Sequence, residues 1–577
     1  MPKIFLIFCL LFFQITQAQQ FLQPSKPANR WVDSVFNELT QEQKIAQLMI
    51  IRAHSNLGNE HVNRVTELIK KYNVGGLCFF QGGPVRQAKL TNYYQQLAIT
   101  PMLICIDAEW GLGMRLDSVI AFPKNFALGA VQNAATIYKV GNAIGNQCKR
   151  LGIHVNFAPV IDVNNNPNNP VINDRSFGEN PEHVSTHATQ FMKGLQDAGV
   201  MACAKHFPGH GDVAVDSHLD LPIINKTVSQ LDSVELYPFK QLIKENVSSV
   251  MMAHLYVPSI DSTKNLATSL SKKAVNDLLK KDLKFKGLSF TDGLEMKGVT
   301  KYFPNAEISV QSLIAGNDVL LLPEDIELSI KKIDSAIADG RICKKDFEKS
   351  VKKVLLAKYN LGLNTTKTID TLNIVSELNA TTNSLIKEIA ENGITALNSN
   401  LSNLAVNDNV RKIIHISLGN GFENYFSNIL QKEFNATTFY FAINQPVNPK
   451  IVDSIEPKPG VYIKDEVSKY GYAKSILDSI SKRDDYDAII VSIQSYNRRP
   501  ANNFGLGEAD IFLLQNLMKN PKANAFFFGN PYAIKNVCGY KNIVACYDEN
   551  EATQQLSVDI ILNKFKPKGK LPVTVCD

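Results

Sequence analysis

Eight short apolar runs recur between residues 44 and 323: KIAQLMII (44–51), VGGLCFF (74–80), PMLICIDA (101–108), VNFAPVID (155–162), VMACAKHF (200–207), VSSVMMAHL (247–255), GLSFTDG (287–293) and DVLLLP (318–323). Most are continuous rather than alternating, the pattern of strands buried on both faces of a parallel sheet. Between them lie segments of helical character, among them HVNRVTELIKKY, AATIYKVGNAIGNQCKRL, PEHVSTHATQFMKGLQDAG and AVNDLLKKDL. Eight strand–helix repeats over this length predict an α/β fold, a (β/α)8 TIM barrel over residues 19–365. Polar residues gather at the C-terminal ends of the runs: Asp107, Asp162, Lys205 with His206, His254 and Asp292. In such a barrel these ends open on one mouth, where active sites of the fold lie.

The pattern changes after residue 365. NTTKTIDTLN is polar, and residues 366–385 read as a linker. The helical segment SLIKEIAENGITAL follows, and then the strand-like runs KIIHISLG, TFYFAI, YDAIIVSI, ANAFFFG and NIVACY alternate with helical stretches. This predicts a smaller C-terminal α/β three-layer sandwich domain over 386–577. It carries no phosphate-loop or dinucleotide fingerprint. At the other end, Lys3, the apolar run IFLIFCLLFF and polar QITQAQQ have the form of a secretory signal peptide over residues 1–18, with cleavage after Ala18. The expectation is an exported protein, periplasmic or secreted. The run is short for a membrane span, so no stable membrane insertion is expected, with an uncleaved anchor as the alternative.

Composition changes this picture little. The 577 residues are 45% hydrophobic and 20% charged, with a formal charge of +6 and no block of like charges, so nothing calls for a nucleic-acid partner. Eight cysteines follow the leader, at 78, 105, 148, 203, 343, 538, 546 and 576. They form no CxxC pair and no Cys/His metal spacing. Free buried thiols are expected, with one bridge in the C-terminal part left open.

The candidate chemistry lies in KHFPGHGDVAVDSH, residues 205–218, which holds three of the ten histidines together with two aspartates and a lysine. Pro208, Gly209 and Gly211 make it a loop. It is either a solvated His-rich loop or a site, and its place at the barrel mouth favours the site. His206 and His210 have a metal-like spacing, but Pro208 and Gly209 between them argue against a helix and against a metal. The stretch resembles the signature of family 3 glycoside hydrolases of the β-N-acetylhexosaminidase branch. LSFTDGLEMKG is similar to that family's nucleophile segment, DAEWGLGMR to its sugar-binding strand end, and NDRSFGENP to the segment that supplies a second arginine. One departure is Trp110, in AEWGLG, where the branch has glycine.

The resemblance implies a retaining mechanism through a covalent glycosyl-enzyme. Asp292 would be the nucleophile, His218 the general acid and then base, and Asp216 its orienting partner. Asp107, Arg115, Arg175, Lys205 and His206 would hold the sugar hydroxyls. Physical chemistry fits these roles. A retaining glycosidase needs a carboxylate at the anomeric carbon and a proton donor at the leaving oxygen. Imidazole titrates near neutrality, and a carboxylate partner fixes its tautomer. No cofactor is required. The implied activity is that of an exo-β-N-acetylglucosaminidase acting on peptidoglycan or chitin-type fragments, a carbohydrate substrate. A β-glucosidase or β-xylosidase, an N-acetylglucosaminide phosphorylase, and a non-catalytic wall-binding protein are the rivals. The C-terminal domain reads as structural or substrate-shaping.

Overall fold

A computed structural model describes residues 20–214, 220–304, 306–365, 367–397, 412–443 and 466–576. The leader and its cleavage site lie outside the described residues. Each of the eight apolar runs supplies one strand: β1 Met49–Ala53, β2 Gly76–Phe79, β3 Leu103–Ile106, β4 Val155–Asn156, β5 Met201–Phe207, β6 Ser249–Met252, β7 Leu288–Thr291 and β8 Leu320–Leu321. Seven neighbouring pairs are parallel, in the order β7-β6-β5-β4-β3-β2-β1-β8. A parallel bridge between Phe290 and Val319 joins β7 to the run entering β8 and closes the barrel. Phe157 and Phe290 meet edge to face inside it at 5.4 Å.

Local chemistry sets the element ends. The run 44–51 is strand only from Met49, because Thr40 caps the preceding helix Gln41–Ala46. Its hydroxyl accepts from the Gln43 N–H at 3.2 Å and the Gln43 side chain accepts from the Thr40 N–H at 3.0 Å, a capping box that holds Lys44–Ala46 helical. The helix Gly58–Tyr72 buries His61, Val65, Ile69 and Tyr72 on one face and stops where Asn73 turns left-handed. Further on, the helices Ile374–Asn379 and Thr382–Gly393 place Ile374, Leu378, Ile386 and Ile389 in the barrel's own core.

The second sheet contains β9 Thr395–Leu397, β10 Ile413–Gly419, β11 Thr437–Ala442, β12 Ala488–Ile493, β13 Ala523–Phe527 and β14 Ile543–Ala545. Its order is β11-β10-β12-β13-β14-β9, parallel except where β9 meets β14. Alternate residues face opposite layers. Ile414, Val491 and Phe527 pack with Leu513 and Ile476, while Ile413, Ile490 and Phe526 pack with Leu430 and Leu556. The architecture is therefore a TIM barrel followed by a three-layer α/β sandwich.

The two units touch beside the barrel mouth. Asn164 donates to the Tyr532 hydroxyl at 3.0 Å, Asn530 to the Asn173 side chain at 2.5 Å, and Arg498 to Asp174 at 2.7 Å. The tail 569–576 returns to the barrel, where the Thr574 hydroxyl donates to Glu179 at 2.5 Å. Cys538 and Cys576 form a disulfide that ties this tail to the second unit. Cys78, Cys105, Cys148, Cys203 and Cys546 are buried free thiols, and Cys343 is exposed. Among the described residues no helix is long and apolar enough to cross a membrane.

Candidate active site

The C-terminal ends of the barrel strands surround a cavity of about 420 Å³. Asp292, directly after β7, lies in its wall with Asp107 and Arg115 from the segment after β3, Arg175 from the loop after β4, and Lys205 and His206 from β5. All six described site residues expected from the sequence thus meet in one place. Asp216 and His218 lie outside the described residues. The flanks of that stretch are anchored: Asp212 pairs with Lys226 at 2.8 Å, and Asp220 lies 3.4 Å from Lys301.

One wall of the cavity is a buried charge cluster. Lys205 Nζ lies 2.8 Å from Asp107 Oδ1 and 2.8 Å from Glu109 Oε1. Arg115 donates to Asp107 Oδ2 at 3.1 Å. Arg175 grips Glu109 with two bonds, Nε to Oε2 at 2.9 Å and Nη2 to Oε1 at 2.7 Å. Burial by itself raises the carboxyls of Asp107 and Glu109. Lys205 and Arg115 beside the first, and Arg175 and Lys205 beside the second, outweigh it and hold both below the ordinary carboxylate range. Burial likewise opposes the charge of Lys205, but Asp107 and Glu109 raise its pKa, so the ammonium keeps its proton. The result is a rigid fence of alternating donors and acceptors, suited to vicinal hydroxyls.

Asp292 is fixed by the backbone. Its N–H donates to the Met252 carbonyl at 2.9 Å, and its Oδ1 accepts from the Gly293 N–H at 2.8 Å. Burial raises its carboxyl, and the field of His254, His206 and Lys205 with the Gly293 N–H overcomes this, leaving the pKa lowered. An ionised carboxylate facing a cavity can act as a nucleophile. His254 itself lies behind the site, bonded to the Ser269 hydroxyl at 2.7 Å and the Gly293 carbonyl at 3.0 Å, and it steadies the turn that carries Asp292.

The loop after β5 is organised by one buried residue, Asp162. Its Oδ2 bonds His206 Nδ1 at 2.7 Å, and its Oδ1 accepts from the N–H groups of His206 at 3.1 Å and His210 at 2.7 Å. Burial first, then His206, lowers the His210 imidazole to about 4, against the opposing field of Asp162. Gly211 packs where a Cβ would collide with the Val163 carbonyl. The peptide bonds 158–159, 205–206 and 207–208 are cis. Among the described residues no group of three or more His, Cys, Asp or Glu is placed to hold a metal ion.

Sequence reasoning missed Glu109 as a site residue. It stands two positions after Asp107, on the same loop, and the need for a second carboxylate to match Arg175 beside Lys205 was the available signal. It also missed Arg52, Phe80 and Arg499 in the cavity wall. Arg499 follows β12 in the second unit, and nothing in the local sequence says which barrel loop it approaches. Trp110, the departure from the family pattern, lines the cavity with the Lys124 ammonium 4.0 Å from its ring centre.

A charged cavity at the C-terminal mouth of a parallel barrel defines an enzyme-type site. The chain belongs to glycosyl hydrolase family 3, whose N-terminal domain model matches residues 40–357. It is similar to beta-hexosaminidase A of Pseudoalteromonas piscicida, 36% identical over 299 residues, which cover 48% of this chain and 50% of the relative. A protein of Cellulomonas fimi named beta-N-acetylglucosaminidase/beta-glucosidase is 26% identical over 341 residues, 58% of this chain and 60% of the relative. The chain thus matches about half of each of these curated relatives' length. Among solved structures, a glycoside hydrolase family 3 beta-N-acetylglucosaminidase from Paenibacillus sp. str. FPU-7 superposes with a TM-score of 0.74 at 26% identity, over 93% of this chain and 99% of that one.

Proposed function

We propose that this protein is a retaining exo-acting β-N-acetylhexosaminidase that releases terminal N-acetylglucosamine from peptidoglycan or chitin-type fragments. The observation that carries the reading is the ionised Asp292 carboxylate, set at a strand end in a cavity that the Asp107–Lys205–Glu109–Arg175 fence also lines. The names of the related proteins support the N-acetylated substrate.

In the first step an Asp292 oxygen bonds the anomeric carbon as the bond to the leaving oxygen breaks, and that oxygen takes a proton from His218. In the second, water gives a proton to His218 and attacks the anomeric carbon, which releases the Asp292 carboxylate. Asp216 orients His218 in both steps, and both residues are assigned from the family resemblance. Asp107, Arg115, Lys205 and Arg175 hold the sugar hydroxyls. His206 takes its place on the cavity wall through its bonds to Asp162.

The test has two parts. A 5-fluoro glycosyl fluoride of N-acetylglucosamine should leave a label on the peptide holding Asp292, and Asp292→Ala should abolish turnover. A label on another peptide refutes the assignment. Hydrolysis of nitrophenyl N-acetyl-β-glucosaminide should exceed that of the glucoside, and added phosphate should not yield the sugar 1-phosphate. The reverse outcomes point to the glucosidase or the phosphorylase.

A further inference from the structure

A cavity of about 470 Å³ lies apart from the catalytic one, beside the turns that enter β7 and β8. Lys286 before β7 and Gly316, Asn317 and Asp318 before β8 line it, at the opposite ends of these strands from Asp292 and Leu322. The helix Lys273–Asp282 gives one side, where Lys272 at its N-cap, Asn276 and Lys280 stand four apart along a single face. The start of the helix Lys344–Asn360 gives another. The two cavities share no lining residue.

Its charge is one-sided. Six cations line it, Lys272, Lys280, Lys286, Arg341, Lys349 and Lys353, against two carboxylates, Asp318 and Asp346. Three of the cations are matched. Lys280 lies 3.0 Å and Lys353 2.8 Å from the buried Asp318, which also accepts from the Ser289 and Ser350 hydroxyls. Arg341 pairs with Asp339 and Glu307, outside the lining. Lys272, Lys286 and Lys349 are exposed, and among the described residues no carboxylate stands within ion-pair distance of any of them.

Two further features suit an anion that carries hydroxyls. Cys343, the N-cap of the helix Lys344–Asn360, supplies no side-chain capping bond, so the N–H groups of the first turn favour an anion. Asn317 is buried. Its NH₂ donates to the carbonyls of Ser269 and Ser312, and its Oδ1 accepts from no group among the described residues. An acceptor left over on a buried side chain calls for a donor.

We propose that this cavity is a second ligand site, which binds the phosphate ester of a sugar or polyol through Lys272, Lys286 and Lys349. Lysine ammonium groups serve phosphate as point charges, and the unmatched set contains no guanidinium fork of the kind that suits a carboxylate. The volume takes a sugar-sized molecule rather than a bare ion. A hydroxyl of the same molecule supplies the donor that Asn317 lacks. The site is independent of the glycosidase reading.

Cys343 lines the cavity and is an exposed free thiol, so its modification reports on the site directly. The reagent is neutral N-ethylmaleimide, read by mass spectrometry of the Cys343 peptide. The probes are glycerol 3-phosphate and N-acetylglucosamine 6-phosphate, with a poly(glycerol phosphate) chain beside them. At ten times its Kd a bound ester should slow labelling about 10-fold. Glycerol, N-acetylglucosamine and sodium chloride at matched ionic strength should not. Protection by the free esters alone marks a soluble ligand, and protection by the chain alone marks a polymer; either supports the site.

Lys272→Gln, Lys286→Gln and Lys349→Gln should each raise Kd about 2- to 5-fold, the range of an exposed ion pair. The triple variant should lose the protection and keep its melting temperature. Asp346→Asn should lower Kd, because it removes the lining carboxylate that opposes the ligand. Phosphorus NMR of the ester reads binding without the thiol, and broadening that the triple variant abolishes supports the site even where Cys343 stays open to the reagent. Neither protection nor broadening overturns the proposal. So does equal protection by chloride, sulfate or inorganic phosphate, and so does protection that survives the triple substitution.

Discussion

Glu109→Gln tests whether the buried charge cluster is what shapes the proposed sugar site. The substitution keeps the volume of the side chain and removes its charge. Three close contacts change, two from Arg175 at 2.9 and 2.7 Å and one from Lys205 at 2.8 Å. The amide offers one acceptor oxygen, and its NH₂ now faces donors. Removing one partner of a buried pair costs about 3–5 kcal/mol. Here Asp107 still pairs with Lys205, and one amide oxygen can still accept from Arg175, so about 2–3 kcal/mol is expected. If that loss falls on the arrangement of Arg175 and Lys205 around the sugar, kcat/KM on nitrophenyl N-acetyl-β-glucosaminide drops about 30- to 150-fold. Thermal unfolding should also fall by a few degrees, because the folded state loses a compensating charge. Steady-state kinetics and a thermal melt on the same preparation read both quantities. A variant with unchanged kcat/KM and an unchanged melting temperature would refute the reasoning, since the two cations would then need no second carboxylate.

Other outcomes follow from the same structure. His218→Ala should slow natural disaccharides far more than nitrophenyl glycosides, by about 10²–10⁴-fold on the former, and Asp216→Ala should show the same leaving-group pattern. Equal losses on both substrate types would place the acid elsewhere. His154 accepts the Ile104 N–H on Nδ1 at 3.0 Å in the barrel wall, and burial first, then Lys358, lowers it from 6.5 to about 4. Its neutral form is the folded one, so its contribution is complete above pH 6.5 and is lost as pH falls towards about 4. A melting temperature flat from pH 7 to 4 would contradict this. Cys576→Ser opens a bridge whose cysteines are 38 residues apart, and it should destabilise the second unit by about 2–4 kcal/mol in denaturant titrations under oxidising conditions. An unchanged midpoint would mean the tail is held by packing alone.

The sequence by itself determined the barrel and its mouth. Strands buried on both faces must be largely apolar, so eight mostly continuous runs separated by helical segments announce the parallel sheet, and the polar residues ending five of them mark the mouth. Asp107, Lys205, His206 and Asp292 were legible for that reason, each standing at a strand end, whereas Arg115 and Arg175 came only from the resemblance of their segments to the family's. The start of the first strand was not read: the run 44–51 looks like strand throughout, and the structure shows Thr40 and Gln43 delaying it to Met49. What the sequence did not carry is pairing at a distance. Asp162 reads as one more strand-end aspartate, and only the fold shows it holding His206 and His210 from beneath. Glu109 gains its meaning from Arg175, 66 residues away, and Arg499 gains its place from the docking of the second unit on the barrel. The physical reason is one of range. Hydrophobic periodicity and capping act within a turn or a strand, whereas the match between buried charges depends on loops brought together by two separate cores, and no local pattern records which loops those are.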